Sequence, residues 1–342
     1  MAAWWLTRHG SSSMRHPMYQ QALRDGIRRA VRNGCDFLVQ SQLPHGEFPG
    51  YIANDPFLNR NCELNSTPFI TTFVLYALWF ARDQPVANAV RAALGFLARE
   101  QEPDGTWRYA SSLNPGRARL DGDVDDTACA SWILRRHGVA FIANEQILRA
   151  NRSRDGLFKT WIRPDGQPND VDTVVNANVI FYLGDTDDTA RASAYLVELI
   201  ESGRETESFW YYENVLTLYY ALSRAAFHGA RSLARLARLI AERVAAREQS
   251  AGWYGNELAT ALAMCTLLNL ELTGQSSLAR AAEALVECQQ ADGAWMRIAF
   301  YKGALPGTRP RFWFGSESLT TALCVQALAH LQTSLQGRLS PR

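Results

Sequence analysis

The stretch DGDVDDTACASWIL, residues 121–134, sets Asp121, Asp123, Asp125 and Asp126 within six positions and then turns apolar. Carboxylates this close repel, so a carboxyl flanked by others keeps its proton to higher pH. Such a cluster is either a solvated helix start or a site that needs a neutral, strong carboxylic acid. Further acids, Glu63, Asp172, Glu213, Glu257 and Glu317, stand near the starts of other apolar segments. Taken singly, the four glutamates read as caps for free N–H groups at the positive end of a helix. Asp170-Val171-Asp172-Thr173 differs, because it aligns with Asp123-Val124-Asp125-Asp126 within the repeat described below. The look-alike DTDDTA at 185–190 follows Gly184 and opens an amphipathic segment, so it reads as a remote N-cap cluster.

Cationic candidates are few. Lys159 and Lys302 are the only lysines, and both follow a glycine–aromatic turn, near Arg163, Arg309 and Arg311. Such residues either hold an anionic head group or balance the acids. Cys35, Cys62, Cys129, Cys265, Cys288 and Cys324 are scattered, with no CxxC pair and no zinc-type spacing. They read as buried thiols of a reducing compartment, and no metal site is expected.

The elements that position these residues are read from an internal repeat. A glycine followed closely by an aromatic recurs in HGEF (45–48), DGTW (104–107), DGLF (155–158), AGWY (251–254) and DGAW (292–295). Amphipathic segments such as VANAVRAALGFLAREQ precede most of them, with apolar residues at helical spacing. A second, more apolar helix follows each, as in TPFITTFVLYALWFA and ELATALAMCTLLNL. Residues 207–222 form a further unit without the glycine. The predicted fold is all-α: an α/α toroid of about six helical hairpins, apolar helices inside and amphipathic ones outside. Nothing alternates with period two for long enough to predict a strand. Residues 30–335 are expected to form one domain, with 1–29 as an N-terminal extension and first helix start. Inner helices of a toroid share one direction, so the acids at their starts would ring one face of a central hole.

Two motifs carry a resemblance to a known family. Gln101-x3-Gly105-x-Trp107 and Gln289-x3-Gly293-x-Trp295 resemble the QW repeat of triterpene cyclases, with Gln42-x3-Gly46-x-Phe48 as a degenerate copy. Asp123-Val124-Asp125-Asp126-Thr127-Ala128 resembles the DxDDTA motif of squalene–hopene and class II diterpene cyclases. The resemblance implies protonation-initiated cyclisation of a prenyl chain, on a prenyl diphosphate or a prenylated small molecule. It makes Asp125 the general acid, with Asp123 and Asp126 in support. Protonating a carbon–carbon double bond needs a strong acid, and clustered carboxylates keep one neutral while their charge favours the cation that forms. Aromatic rings would then shield the cation, and Phe73, Tyr76, Trp132, Tyr219 and Tyr220 are the inner-helix candidates. Asp170, Asp172, Trp313, Lys302 and Arg311 complete the expected substrate site. No cofactor is expected, and Mg²⁺ only if the substrate carries a diphosphate. The cyclases of this family pair two toroids, whereas this chain has the length of one, so the roof of the cavity is left to the hole itself, a partner chain or a second copy.

Two other classes compete. A carbohydrate-active α/α barrel would use Asp125 and Asp172 as acid and base, with Trp107, Trp161, Trp295 and Trp313 stacking on sugars. A non-catalytic toroid would bind a lipid or a peptide. The formal net charge of +1 gives no electrostatic case for nucleic acid. MAAWWLTRHGSSSMRH lacks the apolar core and cleavage site of a signal peptide. The longest apolar run, 67–81, is too short to span a bilayer. A cytoplasmic protein is expected, with peripheral membrane contact left open.

Overall fold

The computed structural model describes residues 17–208, 211–212, 214–273, 276–303 and 311–336. Glu213 and Arg309 lie outside the described residues. Thirteen helices are present among those described: α1 (Pro17–Ser41), α2 (Pro68–Phe80), α3 (Ala87–Arg99), α4 (Val124–Arg136), α5 (Glu145–Ala150), α6 (Thr173–Leu183), α7 (Ala190–Glu201), α8 (Val215–Phe227), α9 (Arg231–Ala234), α10 (Ala237–Ala245), α11 (Glu257–Asn269), α12 (Ser276–Cys288) and α13 (Glu317–Leu335).

Six of these, α2, α4, α6, α8, α11 and α13, pack each on the next, and α13 packs back on α2. Their composition explains the placement. Every residue of α2 is buried, and α6 and α11 are nearly as closed, as expected of helices apolar all round. The helices around them bury one stripe only: α3 turns Ala89, Ala93, Phe96 and Leu97 inward, against α2 and α4. One continuous apolar core results. The first helix crosses the expected boundary at residue 30 without a break, and Ile27 is already in the core.

All six apolar helices start with a side-chain cap. Thr67, Asp123, Asp172, Asn214, Asn256 and Ser316 each accept a backbone N–H from the first turn, satisfying donors that otherwise face a buried environment. Before three of these starts, a glutamine ties the turn to the next unit. The Gln42 amide donates to the carbonyls of Gly46 and Ala89, that of Gln101 to Gly105 and Ile142, and that of Gln289 to Gly293 and Ala30. The glycine is required there. Gly46 has φ +101°, and a Cβ on it would lie 2.2 Å from the Ala92 carbonyl oxygen; at Gly293 the clash is with Asn33 O at 2.3 Å.

The expectation of no strands is corrected. Short strands form β1 (Tyr51–Ala53), β2 (Glu63–Leu64), β3 (Trp107–Arg108), β4 (Gly122–Asp123), β5 (Trp161–Ile162), β6 (Ala299–Gly303) and β7 (Phe312–Gly315). They pair antiparallel in the orders β2-β1-β7-β6 and β3-β4-β5. At two to five residues each they are too short to leave an alternating pattern in sequence. They lie in the segments that lead into the apolar helices. The look-alike cluster is also corrected. Asp185 accepts from Ser232, Asp188 pairs with Arg149 and Arg152, and the α7 start has no side-chain cap. Asp185 thus accepts a first-turn N–H of α9 rather than of α7, and Asp188 ties the cluster to Arg149 of α5. Among the described residues, no helix is long and apolar enough to cross a membrane.

Candidate active site

The starts of α2, α4 and α6 converge on one cavity of about 80 Å³, while those of α11 and α13, with Glu257 and Glu317, border a larger cleft beside it. Asp123, Asp125 and Asp126 from the α4 start form part of its wall, facing Phe69, Tyr109, Tyr211, Tyr212, Tyr301 and Phe314. Asp123 sits in β4, between Trp107 of β3 and Trp161 of β5, with an extended backbone. Its Oδ1 accepts the N–H groups of Asp125 (2.7 Å) and Asp126 (3.2 Å), so this acid is the helix cap. The two acids that follow are thereby held in the first helical turn, both buried. Asp121 is apart from them, half-buried and paired with Arg163.

Asp125 is gripped at both oxygens. Tyr212 donates its hydroxyl to Oδ2 at 2.6 Å, and the Asn178 amide donates to Oδ1. The Asn178 carbonyl accepts from Arg224, and a guanidinium has no acceptor. That fixes which way the amide faces, so the group presented to Asp125 is a donor. Asp126 has no such support: its Oδ1 is buried without a hydrogen-bond partner.

Each carboxyl titrates above its usual range. Burial, then the Asp125 charge, pushes Asp123 up to about 8. Burial, then Asp123 and Asp125, holds Asp126 well above the normal range. Asp172 is pushed up to about 7 by burial and by Asp125. Burial raises Asp125 too, but its donors Tyr212 and Asn178, and the Arg224 charge, pull it back. The cluster therefore stores protons at neutral pH beside an aromatic wall. Asp125 is the member whose conjugate base is best stabilised.

The chain itself supplies one side of the cavity from the β6 and β7 strands. In the β6–β7 hairpin, Tyr301 stacks on Phe314 at 5.1 Å, meets Phe69 edge-on at 5.1 Å, and shares a 2.9 Å hydroxyl contact with Tyr109. Beyond Tyr211, Tyr301 and Lys302 lies an open cleft of about 1000 Å³ that also takes in Trp313.

The other expected residues are distributed unevenly. Asp172 caps α6, and Asp170 reaches the cavity only through Tyr211, whose hydroxyl it accepts at 2.8 Å. Phe73, Tyr76 and Tyr220 lie around the Arg224 guanidinium, not around the open space. Trp132 is displaced from the wall: it stacks on Phe181 at 4.3 Å and packs on His228, which follows α8. Tyr219 faces outward, its hydroxyl on Glu205, which also holds Arg243 of α10. Lys302 lines the cavity; Arg311 is exposed beside β7, and Lys159 pairs with Asp165. Glu63 is an exposed strand residue and not part of a helix start. Of the four tryptophans expected at a sugar rim, Trp161 lines the acid cavity and Trp313 the cleft, while Trp107 and Trp295 are fully buried with their indole N–H groups on the Leu97 and Leu285 carbonyls. Among the described residues no group of three or more His, Cys, Asp or Glu could hold a metal ion.

No protein-family model matches this chain, and no curated protein matches it. Solved structures do. A protein from Actinoplanes superposes with a TM-score of 0.67 at 20% identity, over 89% of this chain and 99% of that one. The type II terpene cyclase MstE from Scytonema superposes with a TM-score of 0.65 in its apo form, at 19% identity over 91% of this chain and 99% of MstE. A variant of MstE in complex with geranylgeranyl dihydroxybenzoate, its substrate, gives 0.65 at 18% identity, over 92% and 99%. The fold is terpene-cyclase-like. At these identities the likeness concerns the fold, and the chemistry rests on the residues above.

The raised carboxyls make stability depend on pH. A carboxyl that holds its proton more tightly folded than unfolded stabilises the fold at low pH, and that stabilisation is lost as pH rises through its folded pKa. Buried His228 and His330, pushed down to about 3 and about 4, act in the opposite sense, but only below their ordinary value of 6.5. Between pH 6.5 and 8 the carboxyls act alone, with Asp172 near 7 and Asp123 near 8. The melting temperature is expected to fall across that window. Asp172→Asn, which keeps a capping oxygen, should flatten the fall; a melting temperature that rises from pH 6.5 to 8 would contradict the assignment.

Proposed function

We propose that this protein is a class II-type terpene cyclase, in which Asp125 starts the cyclisation of a prenyl chain by protonating its terminal double bond. In this reading the six hairpins form the toroid expected from sequence, and the acid face is its working end. One observation carries the proposal: a buried three-carboxylate cluster opens onto a cavity walled by aromatic rings.

Asp125 gives its proton to one alkene carbon, forming a C–H bond and leaving a tertiary cation on the other. An internal double bond attacks that cation and closes a ring. Loss of a proton or capture of water ends the reaction. Tyr212 and Asn178 already point donors at Asp125, so they stabilise the carboxylate left behind and strengthen the acid. Asp123 and Asp126 keep their own protons, which limits the charge that would otherwise weaken proton release. The faces of Phe69 and Tyr301 meet the cation without attacking it, each worth ~1–2 kcal/mol when desolvated. Lys302 and Arg311 would hold an anionic head group, with Mg²⁺ needed only for a diphosphate.

The test is incubation with farnesol, farnesyl diphosphate and geranylgeranyl dihydroxybenzoate in D₂O. A cyclised product carrying one deuterium on the carbon of the former terminal alkene supports the reading. Release of diphosphate with the terminal alkene intact, or no cyclisation of any probe, refutes it.

A further inference from the structure

The space below Asp125 is filled by a cation. Arg224 is a buried arginine in the last turn of the apolar helix α8. Its guanidinium carbon lies 4.4 Å from the ring centre of Phe181, 5.2 Å from Phe73, 5.3 Å from Tyr76 and 5.4 Å from Tyr220. It donates to Asn178 and reaches the Cys129 sulfur, one helical turn below Asp125, at 3.7 Å. Below this layer the Tyr76 hydroxyl meets His228 Nε2 at 3.0 Å, and Trp132 closes over both rings.

We propose that Arg224, one layer behind the cavity-lining Phe69 and Asp125, closes off the space below the acid cavity and limits this chain to closing a single ring at the terminal prenyl unit. The inference rests on the cyclase reading and adds to it the class of substrate and product. Two arguments support it. The first is space. The cavity beside Asp125 measures about 80 Å³, roughly half the ~150 Å³ dry cavity that takes one benzene. It admits the end of a prenyl chain, not a coiled one. The second is charge. Four rings that would otherwise draw a carbocation deeper are already occupied by a permanent cation, and a second positive charge moving toward them meets repulsion. The growing cation is therefore kept at the level of Phe69 and Tyr301. The remaining chain and head group stay in the 1000 Å³ cleft, which shares Tyr211, Tyr301 and Lys302 with the acid cavity.

The experiment counts rings, a readout independent of the overall rate. Farnesol and geranylgeranyl dihydroxybenzoate are the probes, and products are analysed by mass spectrometry and NMR. The wild type should give monocyclic products. Arg224→Ala, which removes both the bulk and the charge, should raise the bicyclic fraction at least tenfold. Arg224→Met, which keeps the bulk and removes the charge, is the second variant should the first not fold, and should raise it by less. Polycyclic products as the main output of the wild type overturn the proposal without any variant. A monocyclic distribution unchanged in a folded Arg224→Ala protein also overturns it, and leaves the cyclase reading intact. Absence of any cyclised product from the wild type overturns the cyclase reading itself.

Discussion

Replacing Asp125 by Asn is expected to slow cyclisation of a prenyl probe by about 10²- to 10⁴-fold, the range over which a general acid contributes. The reason is specific to the network. An Asn side chain keeps the shape of the acid and one acceptor oxygen for Tyr212 or Asn178. It carries no proton that can be released to carbon. The melting temperature should change little, because the helix cap is the neighbouring Asp123. Rates are measured at saturating probe, and the melting temperature by circular dichroism. Asp187→Asn serves as the control, since Asp187 is an exposed loop residue in the look-alike cluster. A folded Asp125→Asn protein with wild-type turnover would remove Asp125 from the mechanism and turn attention to the unpartnered Asp126.

The largest effect on stability is expected at the tryptophans of the repeated turns. Trp295 is fully buried, its indole N–H on the Leu285 carbonyl at 2.8 Å and its backbone N–H on the Thr321 hydroxyl at 3.0 Å. It therefore joins α12 to α13. Trp295→Ala removes that join and leaves a cavity in a close-packed layer, so a loss of about 3–5 kcal/mol is expected. Trp107 makes the same pair of bonds, to Leu97 and Thr127, and should respond alike. Denaturant unfolding of both variants checks this. A loss below about 1 kcal/mol would mean that the glutamine and glycine of the turn hold the joint without the ring.

The sequence showed the helices and the acids better than the space between them. Repeated glycine–aromatic turns and apolar segments such as residues 68–80 marked the closed order of helices, because periodicity is a property of single segments. Asp123, Asp125 and Asp126 were legible for the same reason: they are neighbours in the chain. What could not be read is what crosses the hole. Tyr212 is 87 residues from Asp125, and Phe73 and Tyr76, expected at a substrate cation, lie against Arg224. A signal for the missing parts did exist. Asn176, Asn178 and Arg224 stand inside otherwise apolar helices, and a polar residue buried there must have a partner. Trp132 and Tyr219 were misplaced because one helix face looks much like another when all faces are buried. The part of the wall that Tyr301 and Phe314 supply is not legible in sequence, because their strands are too short to leave an alternating pattern.

The glutamine of the last repeated turn has a consequence for how the chain comes apart. Gln289 grips Ala30 as Gln42 grips Ala89 and Gln101 grips Ile142. The bond that crosses from the end of the chain to its beginning is thus of the same kind as those between consecutive units. Tyr19, near the first described residue, adds a 2.9 Å bond to Glu283 of α12. An open stack of repeats has two ends, needs polar capping units, and can lose terminal repeats one at a time. Here the first and last units cap each other. Neither is a free end of a stack, so loss of either would break bonds to the other as well as to its own neighbour in sequence.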